Sequence, residues 1–256
     1  MRKKIVLVTG ATGRTGSLVV KKLRTGEYGW EVRGFARSRS KVEEIFGDST
    51  GFFYGDILNP QEIAKALEGC QALVILTSAI PKMVKPAIGG NPPQFEFEEK
   101  GRPEIVDWLG QKNQIDEAVR AGVEHVILVS SMGGTVPDHP LNRIGNGNIL
   151  VWKKKAEKYL VASGLNYTII RPGGLLDAPE GKRELLTGKN DEFLKSPPPG
   201  VSPSIPRGDL ANVIVQALNN PYARNKAFDL ISKPEGFPGA VVTTDWYAFF
   251  AATDSE

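Results

Sequence analysis

Three glycines, Gly10, Gly13 and Gly16, stand in the stretch TGATGRTG (residues 9–16), between an apolar run and a helical pattern. Their Gly-x-x-Gly-x-x-Gly spacing differs from the G-x-G-x-x-G of the dinucleotide fingerprint, so context has to carry the argument. Ile5–Val8 is a short apolar run of the kind buried on both faces of a sheet. Leu18, Val19 and Leu23 then recur at helical spacing, with Lys21, Lys22 and Arg24 on the wetter side. A glycine turn at such a junction offers main-chain amides and the positive end of a helix dipole to a phosphate, with no Cβ in the way. Gly10, Thr12, Gly13, Arg14, Thr15 and Gly16 are therefore the expected cradle of a dinucleotide diphosphate.

The end of the second apolar stretch, WEVRGFAR (residues 30–37), bears on which dinucleotide. An NAD site places an Asp or Glu there, on the ribose 2′-hydroxyl. This chain continues ARSRSK, with Arg37, Ser38, Arg39 and Lys41 and no carboxylate. A guanidinium matches a 2′-phosphate bidentately. Arg37 and Ser38 are expected to hold that phosphate, with Arg14 approaching from the other side, while Arg39 and Lys41 are expected to be solvated charges. The expected cofactor is NADP(H).

These residues need a frame that brings strand ends together, and the chain supplies one. Short apolar strands at residues 30–37, 51–56, 72–78, 125–131 and 166–172 alternate with helical stretches from Lys41, over 60–68, 104–121 and 150–162. That rhythm predicts an α/β fold, a doubly wound parallel sheet of the Rossmann type, in one NAD(P)-binding domain over residues 1–256. A small C-terminal lobe is expected from about residue 173 to 256. Two stretches break the rhythm. Residues 79–103 hold prolines 81, 86, 92, 93 and 103 with Gly89 and Gly90, and are expected to be irregular and to shape a substrate pocket with the C-terminal lobe. The second, KSPPPGVSPSIP (residues 195–206), precedes a helix over 209–218 and a last strand over 226–230.

Composition narrows the partners. A net charge of +3 over 256 residues is no nucleic-acid signature. No apolar run reaches membrane length, so neither a nucleic acid nor a membrane is an expected partner. The single cysteine, Cys70, excludes an internal disulfide and favours a reducing compartment, the cytoplasm or an organelle interior such as a plastid stroma. His125 and His139 have no third ligand at a metal spacing, so no metal is expected. Trp108 and Trp152 read as packing residues.

With these residues in place, the chain resembles the short-chain dehydrogenase/reductase superfamily, in the atypical NAD(P)H-binding, NmrA-like branch. Within it the chain is similar to a plant group of NADP-binding proteins. The resemblance runs through TGATGRTG, GDI (55–57), LTSA (76–79), GQKNQIDEAVRAGVEHVILVSSMGG, PDHPLNRIGNGNILVWKKKAEKYL, YTIIRPGGLLD and IPRGDLANVIVQAL, nearly the whole chain. It implies that Asp56 and Ile57 flank the adenine and that Thr77, Ser78 and Ala79 line the adenosine ribose and diphosphate. It implies a catalytic hydroxyl at Ser130 or Ser131, with Arg171, Pro172 and Gly173 around the nicotinamide.

The family's reductases use Tyr-x-x-x-Lys, and Lys153 with Glu157 fits the lysine's frame. The tyrosine position is then Ile149, which cannot donate a proton. The literal Tyr222-x-x-x-Lys226 falls in a late turn and is expected to be unrelated. Ser131 and Lys153 are the expected catalytic residues of an NADPH-dependent oxidoreductase acting on a small conjugated or carbonyl-bearing molecule. The alternative is an NADP(H)-holding scaffold or redox sensor.

Overall fold

The computed structural model describes residues 3–87, 92–136 and 138–254. In chain order the strands are β1 (Lys4–Thr9), β2 (Trp30–Ala36), β3 (Phe52–Tyr54), β4 (Ala72–Ile75), β5 (Lys82–Lys85), β6 (Gln94–Glu96), β7 (His125–Val129), β8 (Asn166–Pro172), β9 (Gly174–Leu176), β10 (Leu185–Gly188), β11 (Ser204–Pro206) and β12 (Lys226–Ser232). The helices are α1 (Arg14–Arg24), α2 (Arg39–Phe46), α3 (Pro60–Leu67), α4 (Gln111–Arg120), α5 (Pro140–Arg143), α6 (Ile149–Ala162), α7 (Glu192–Lys195), α8 (Arg207–Ala217) and α9 (Trp246–Ala252).

Eight strands form one sheet in the order β10-β12-β8-β7-β4-β1-β2-β3. All neighbours pair in parallel except β10, which runs antiparallel to β12 at the edge. The continuous apolar runs are explained by burial on both faces, since successive side chains in a strand point to opposite sides. Val6 and Val8 join a core under α1 and α8 with Val19, Leu23, Leu210 and Ile214. Leu7, between them, joins a second core under α3, α4 and α6 with Ile63, Ile115 and Leu160. β1 has β2 on one side and β4 on the other, so the loops leaving β1 and β4 diverge and open a crevice at the carboxyl ends.

Three expectations change. Residues 79–103 are not wholly irregular: β5 and β6 form an antiparallel ribbon, because the residues between Pro81 and Pro86 keep free amides for pairing. Gly89 and Gly90 lie outside the described residues. The expected helix over 104–121 has two windings, with Glu104–Gly110 coiled as a π-helix ahead of α4. The C-terminal lobe is largely merged with the sheet. β10 and β12 extend it, α8 lies in the layer of α1, and α9 buries Phe250 against Phe228. The small parallel ribbon of β9 and β11 stands apart from the main sheet.

His125 opens β7 and is only 2% exposed. Its Nε2 lies 2.8 Å from Thr168 Oγ1, and that hydroxyl gives its one hydrogen to the Ala223 carbonyl at 2.7 Å. Nε2 must therefore be the donor, and burial, with Nδ1 left without a partner among the described residues, pushes the pKa down to about 4 and keeps the imidazole neutral. In the unfolded chain the ring protonates near its ordinary value of about 6.5, so acid favours unfolding between those two values. The expected outcome is a loss of about 3 kcal/mol of stability through His125 as pH falls from 7 to 4. Urea denaturation of the native chain and His125→Gln at both pH values measures it, and the variant is expected to lose correspondingly less.

Candidate cofactor and active site

The glycines divide the labour of one turn. Gly10 takes φ +66°, and a Cβ on it would stand 2.7 Å from the Leu76 carbonyl oxygen at the end of β4. A Cβ on Gly16 would overlap the Gly10 carbonyl, so this glycine lets α1 begin hard against the end of β1. Gly13 is exposed at the rim, where a Cβ would meet only the Gly10 oxygen at 3.1 Å. It caps α1 without a side-chain acceptor, and the first turn carries no acidic residue. Thr12 is half-buried and Thr15 buried beneath that turn. The amides of the first turn are thus left for an anion, and a phosphate fits the cradle.

Arg37 and Ser38 are exposed at the end of β2, as expected. Ser38 Oγ accepts the Lys41 amide at 3.3 Å and so caps α2. Arg39, expected to be merely solvated, holds its guanidinium 4.9 Å from the centre of the Tyr54 ring, on the floor of the same corner. Arg14 has a partner of its own. Its guanidinium is bonded to Asp177 beyond β9 and so faces the C-terminal segment instead of Arg37. Nothing local in TGATGRTG signals a partner so far along the chain.

The loops expected around the adenosine are braced from one segment that sequence reasoning left without a role. Gln111 and Gln114 at the start of α4 donate to the Thr77 carbonyl (3.0 Å) and hydroxyl (3.2 Å). Asn113 donates to the Ile57 carbonyl at 3.1 Å, and a Cβ on Gly110 would overlap the Ile57 side chain. Asp56 turns its own loop by accepting the Leu58 amide at 2.9 Å. Ser78 is exposed and Ala79 buried. The available signal was spacing: Asp107, Gly110, Gln111 and Gln114 lie three to four residues apart, polar or small on the buried face of a helix.

Asp107 in the π-wound segment is fully buried, and its Oδ2 accepts the Ala79 amide at 3.0 Å. Its Oδ1 lies 2.8 Å from Lys153 Nζ, itself 8% exposed. Lys153 is therefore buried and already ion-paired to the carboxylate that holds the loop after β4. Ile149, one helical turn earlier, is half-buried on the same face of α6.

Ser130 and Ser131 follow β7. Ser131 Oγ donates to the Met132 carbonyl at 3.0 Å, whereas the buried Ser130 Oγ has no hydrogen-bond partner among the described residues. Beyond them Asp191 accepts the amides of Gly133 and Thr135 at 2.6 and 2.7 Å and fixes the loop.

Arg171 is buried between two acids. Its guanidinium is held by Glu157 through bonds of 2.9–3.1 Å and stands 3.8 Å from Asp229, so this side chain joins α6 to the sheet. Pro172 is buried and Gly173 half-buried at the strand end. The Pro172 carbonyl accepts the Met132 amide at 3.2 Å, and a Cβ on Gly173 would overlap the Pro203 carbonyl.

Other chemistry finds little here. No group of three potential metal ligands occurs among the described residues. His139 caps α5 by accepting the Leu141 amide at 3.3 Å. Burial pushes the Cys70 thiol up to about 11. Trp108 and Trp152 flank the Lys155 ammonium, 4.2 and 5.3 Å from their ring centres. Among the described residues no helix is long and apolar enough to cross a membrane.

A glycine turn with an open helix N-terminus, set at the switch point of a parallel sheet, defines a dinucleotide-binding protein of the Rossmann type. Residues 10–221 match the NAD(P)H-binding family, and the chain belongs to that family. It is 52% identical over 248 residues to an uncharacterized chloroplastic protein of Arabidopsis thaliana, covering 96% of this chain and 74% of that one. It is 46% identical over 269 residues to sanguinarine reductase of Eschscholzia californica, covering 98% and 96%. A solved anaerobilin reductase of Escherichia coli O157:H7 superimposes with a TM-score of 0.66 at 22% identity, over 90% of this chain and 100% of that one, and speaks to the fold.

Removing one partner of a buried ion pair leaves the other charge uncompensated. Asp107→Ala is expected to cost about 3–5 kcal/mol in urea denaturation. The double variant Asp107→Leu with Lys153→Met, which leaves no buried charge behind, is expected to recover most of that loss.

Proposed function

We propose that the protein is an NADPH-dependent oxidoreductase that reduces a small conjugated or carbonyl-bearing molecule. The observation that carries this reading is the first half of α6, where Lys153 is paired with the same Asp107 that holds the Ala79 amide and Ile149 lies one turn before it. Bound NADPH supplies a hydride. The chain's part is to hold and orient: the first-turn amides of α1 take the diphosphate, and Arg37 with Ser38 takes the 2′-phosphate. Lys153, steadied by Asp107, faces the ribose.

Ile149 sets the class of acceptor. A positioned general acid contributes about 10²–10⁴-fold, and an isoleucine supplies none of it. Flavins, quinones and conjugated enones, whose reduced forms are weak bases, depend least on a protein acid, and water or a serine hydroxyl can protonate them. The similarity to sanguinarine reductase supports the reductase activity. The chloroplastic relative supports a plastid interior as its compartment. Ile149 also favours a second reading, a cofactor-holding scaffold without turnover.

Two measurements decide. By calorimetry, NADPH is expected to bind at least about tenfold tighter than NADH, the worth of about one charge-assisted contact. Arg37→Ala should erode that gap and leave NADH affinity unchanged; equal native affinities would refute the 2′-phosphate assignment.

In steady-state NADPH oxidation, the native protein is expected to turn over quinones or enones faster than simple ketones. Ile149→Tyr should raise ketone and aldehyde turnover about tenfold or more while leaving quinone rates within about twofold. Tight NADPH binding with no oxidation by any acceptor, in either protein, would establish the scaffold.

A further inference from the structure

Arg14 is the first residue of α1, so its own amide belongs to the turn that faces the diphosphate. Its guanidinium, however, is bonded to one oxygen of Asp177, in the loop after β9. The other oxygen of Asp177 accepts from Arg207, the first residue of α8, at 2.7 Å. One carboxylate bridges two guanidiniums, and burial together with the nearby Arg14 pushes the Arg207 pKa down. Close by, Lys22 of α1 bonds Glu180 of the same loop at 2.7 Å.

The two halves of the bridge are unequal. Arg14 and Asp177 are 66% and 62% exposed, whereas Arg207 is 15% exposed and also donates to the Leu175 carbonyl at 3.2 Å. An exposed ion pair in water is worth little and exchanges readily. The Arg207 half, with its second bond to the main chain, is the fixed one. Arg14 can therefore change partner while Asp177 stays anchored to Arg207, and Lys22 keeps the loop tethered to α1. A diphosphate at the α1 terminus offers that guanidinium two charged oxygens in place of one exposed carboxylate oxygen.

Resting on the assignment of the glycine turn to the cofactor diphosphate, we propose that Asp177 is an internal competitor for Arg14. It holds the guanidinium in the cofactor-free chain and yields it to the diphosphate on binding. Cofactor arrival thereby releases one of two ties between α1 and the loop that follows β9, and couples occupancy of the turn to the mobility of residues 174–180.

The test is NADPH titration by calorimetry with the native protein, Asp177→Asn, Arg14→Ala and the double variant. Asp177→Asn, an exposed and nearly isosteric change, is expected to bind NADPH about threefold tighter, the scale of one surface ion pair. Arg14→Ala is expected to bind more weakly, and in its background Asp177→Asn should have no effect. Hydrogen exchange of amides 174–180 should quicken when NADPH is added to the native protein and be already fast in Asp177→Asn. An Asp177→Asn protein that binds NADPH no better than native overturns the proposal, as does an equal gain in the Arg14→Ala background. Native protein that binds neither NADPH nor NADH would instead overturn the assignment of the turn, and the competitor with it.

Discussion

The buried pair of Lys153 and Asp107 is the constraint on which the crevice depends. Taking two charges out of water carries a desolvation penalty of several kcal/mol per ion, so they must meet at close range with their remaining valences satisfied. Asp107 sets one oxygen 2.8 Å from Lys153 Nζ, as an ion pair without hydrogen-bond alignment, and accepts the Ala79 amide with the other. That single carboxylate fixes α6, the π-wound segment and the loop after β4 relative to one another. Gln111, Gln114 and Asn113 extend the same brace to Thr77 and Ile57. The cofactor crevice thus inherits its shape from a helix that contributes no expected cofactor contact of its own.

The glycine turn solves the complementary problem on the other side of the switch point. There the backbone must approach the end of β4 closely enough that Gly10 tolerates no Cβ, while α1 starts against the Gly10 carbonyl. Only Gly13 remains at the rim with space around it. Close packing of main chain on main chain makes the turn rigid, and a rigid array of amides recognises an anion without reorganising.

How much of this was legible in the sequence follows from the range of the interactions. The alternation that defines the doubly wound sheet is local, and so are the glycine spacing and the exposed Arg37 and Ser38. The four-residue separation of Ile149 and Lys153 survives because a helix converts sequence spacing directly into a shared face. What escaped notice was long-range. Arg14 meets Asp177 across 163 positions, and Ala79 meets Asp107 across 28. The π winding over Glu104–Gly110 has no apolar period that distinguishes it from α-helix. The C-terminal residues looked like a separate lobe because β10 is short and pairs antiparallel, where a βαβ rhythm leads one to expect parallel strands. The bond of Arg171 to Glu157, 14 positions earlier on α6, is likewise a tertiary contact that no local pattern announces.

The chemistry of the crevice is decided by which polar groups the fold leaves uncommitted. Lys153 is matched by Asp107, the Ser131 hydrogen by the Met132 carbonyl, and Arg171 by Glu157. Each of these commitments stabilises the fold, and each removes a group that would otherwise meet a substrate with its full charge or hydrogen. The Ser130 hydroxyl, buried at the end of β7, has no partner among the described residues, and neither do the side-chain oxygens of Gln111 and Gln114. A buried hydroxyl left so costs about 1–3 kcal/mol, a cost that a ligand able to accept its hydrogen would lift. On the oxidoreductase reading proposed above, a crevice built this way orients what enters it and donates protons poorly. Hydride transfer, which needs alignment beside the nicotinamide more than it needs acid, is the reaction that such an arrangement handicaps least.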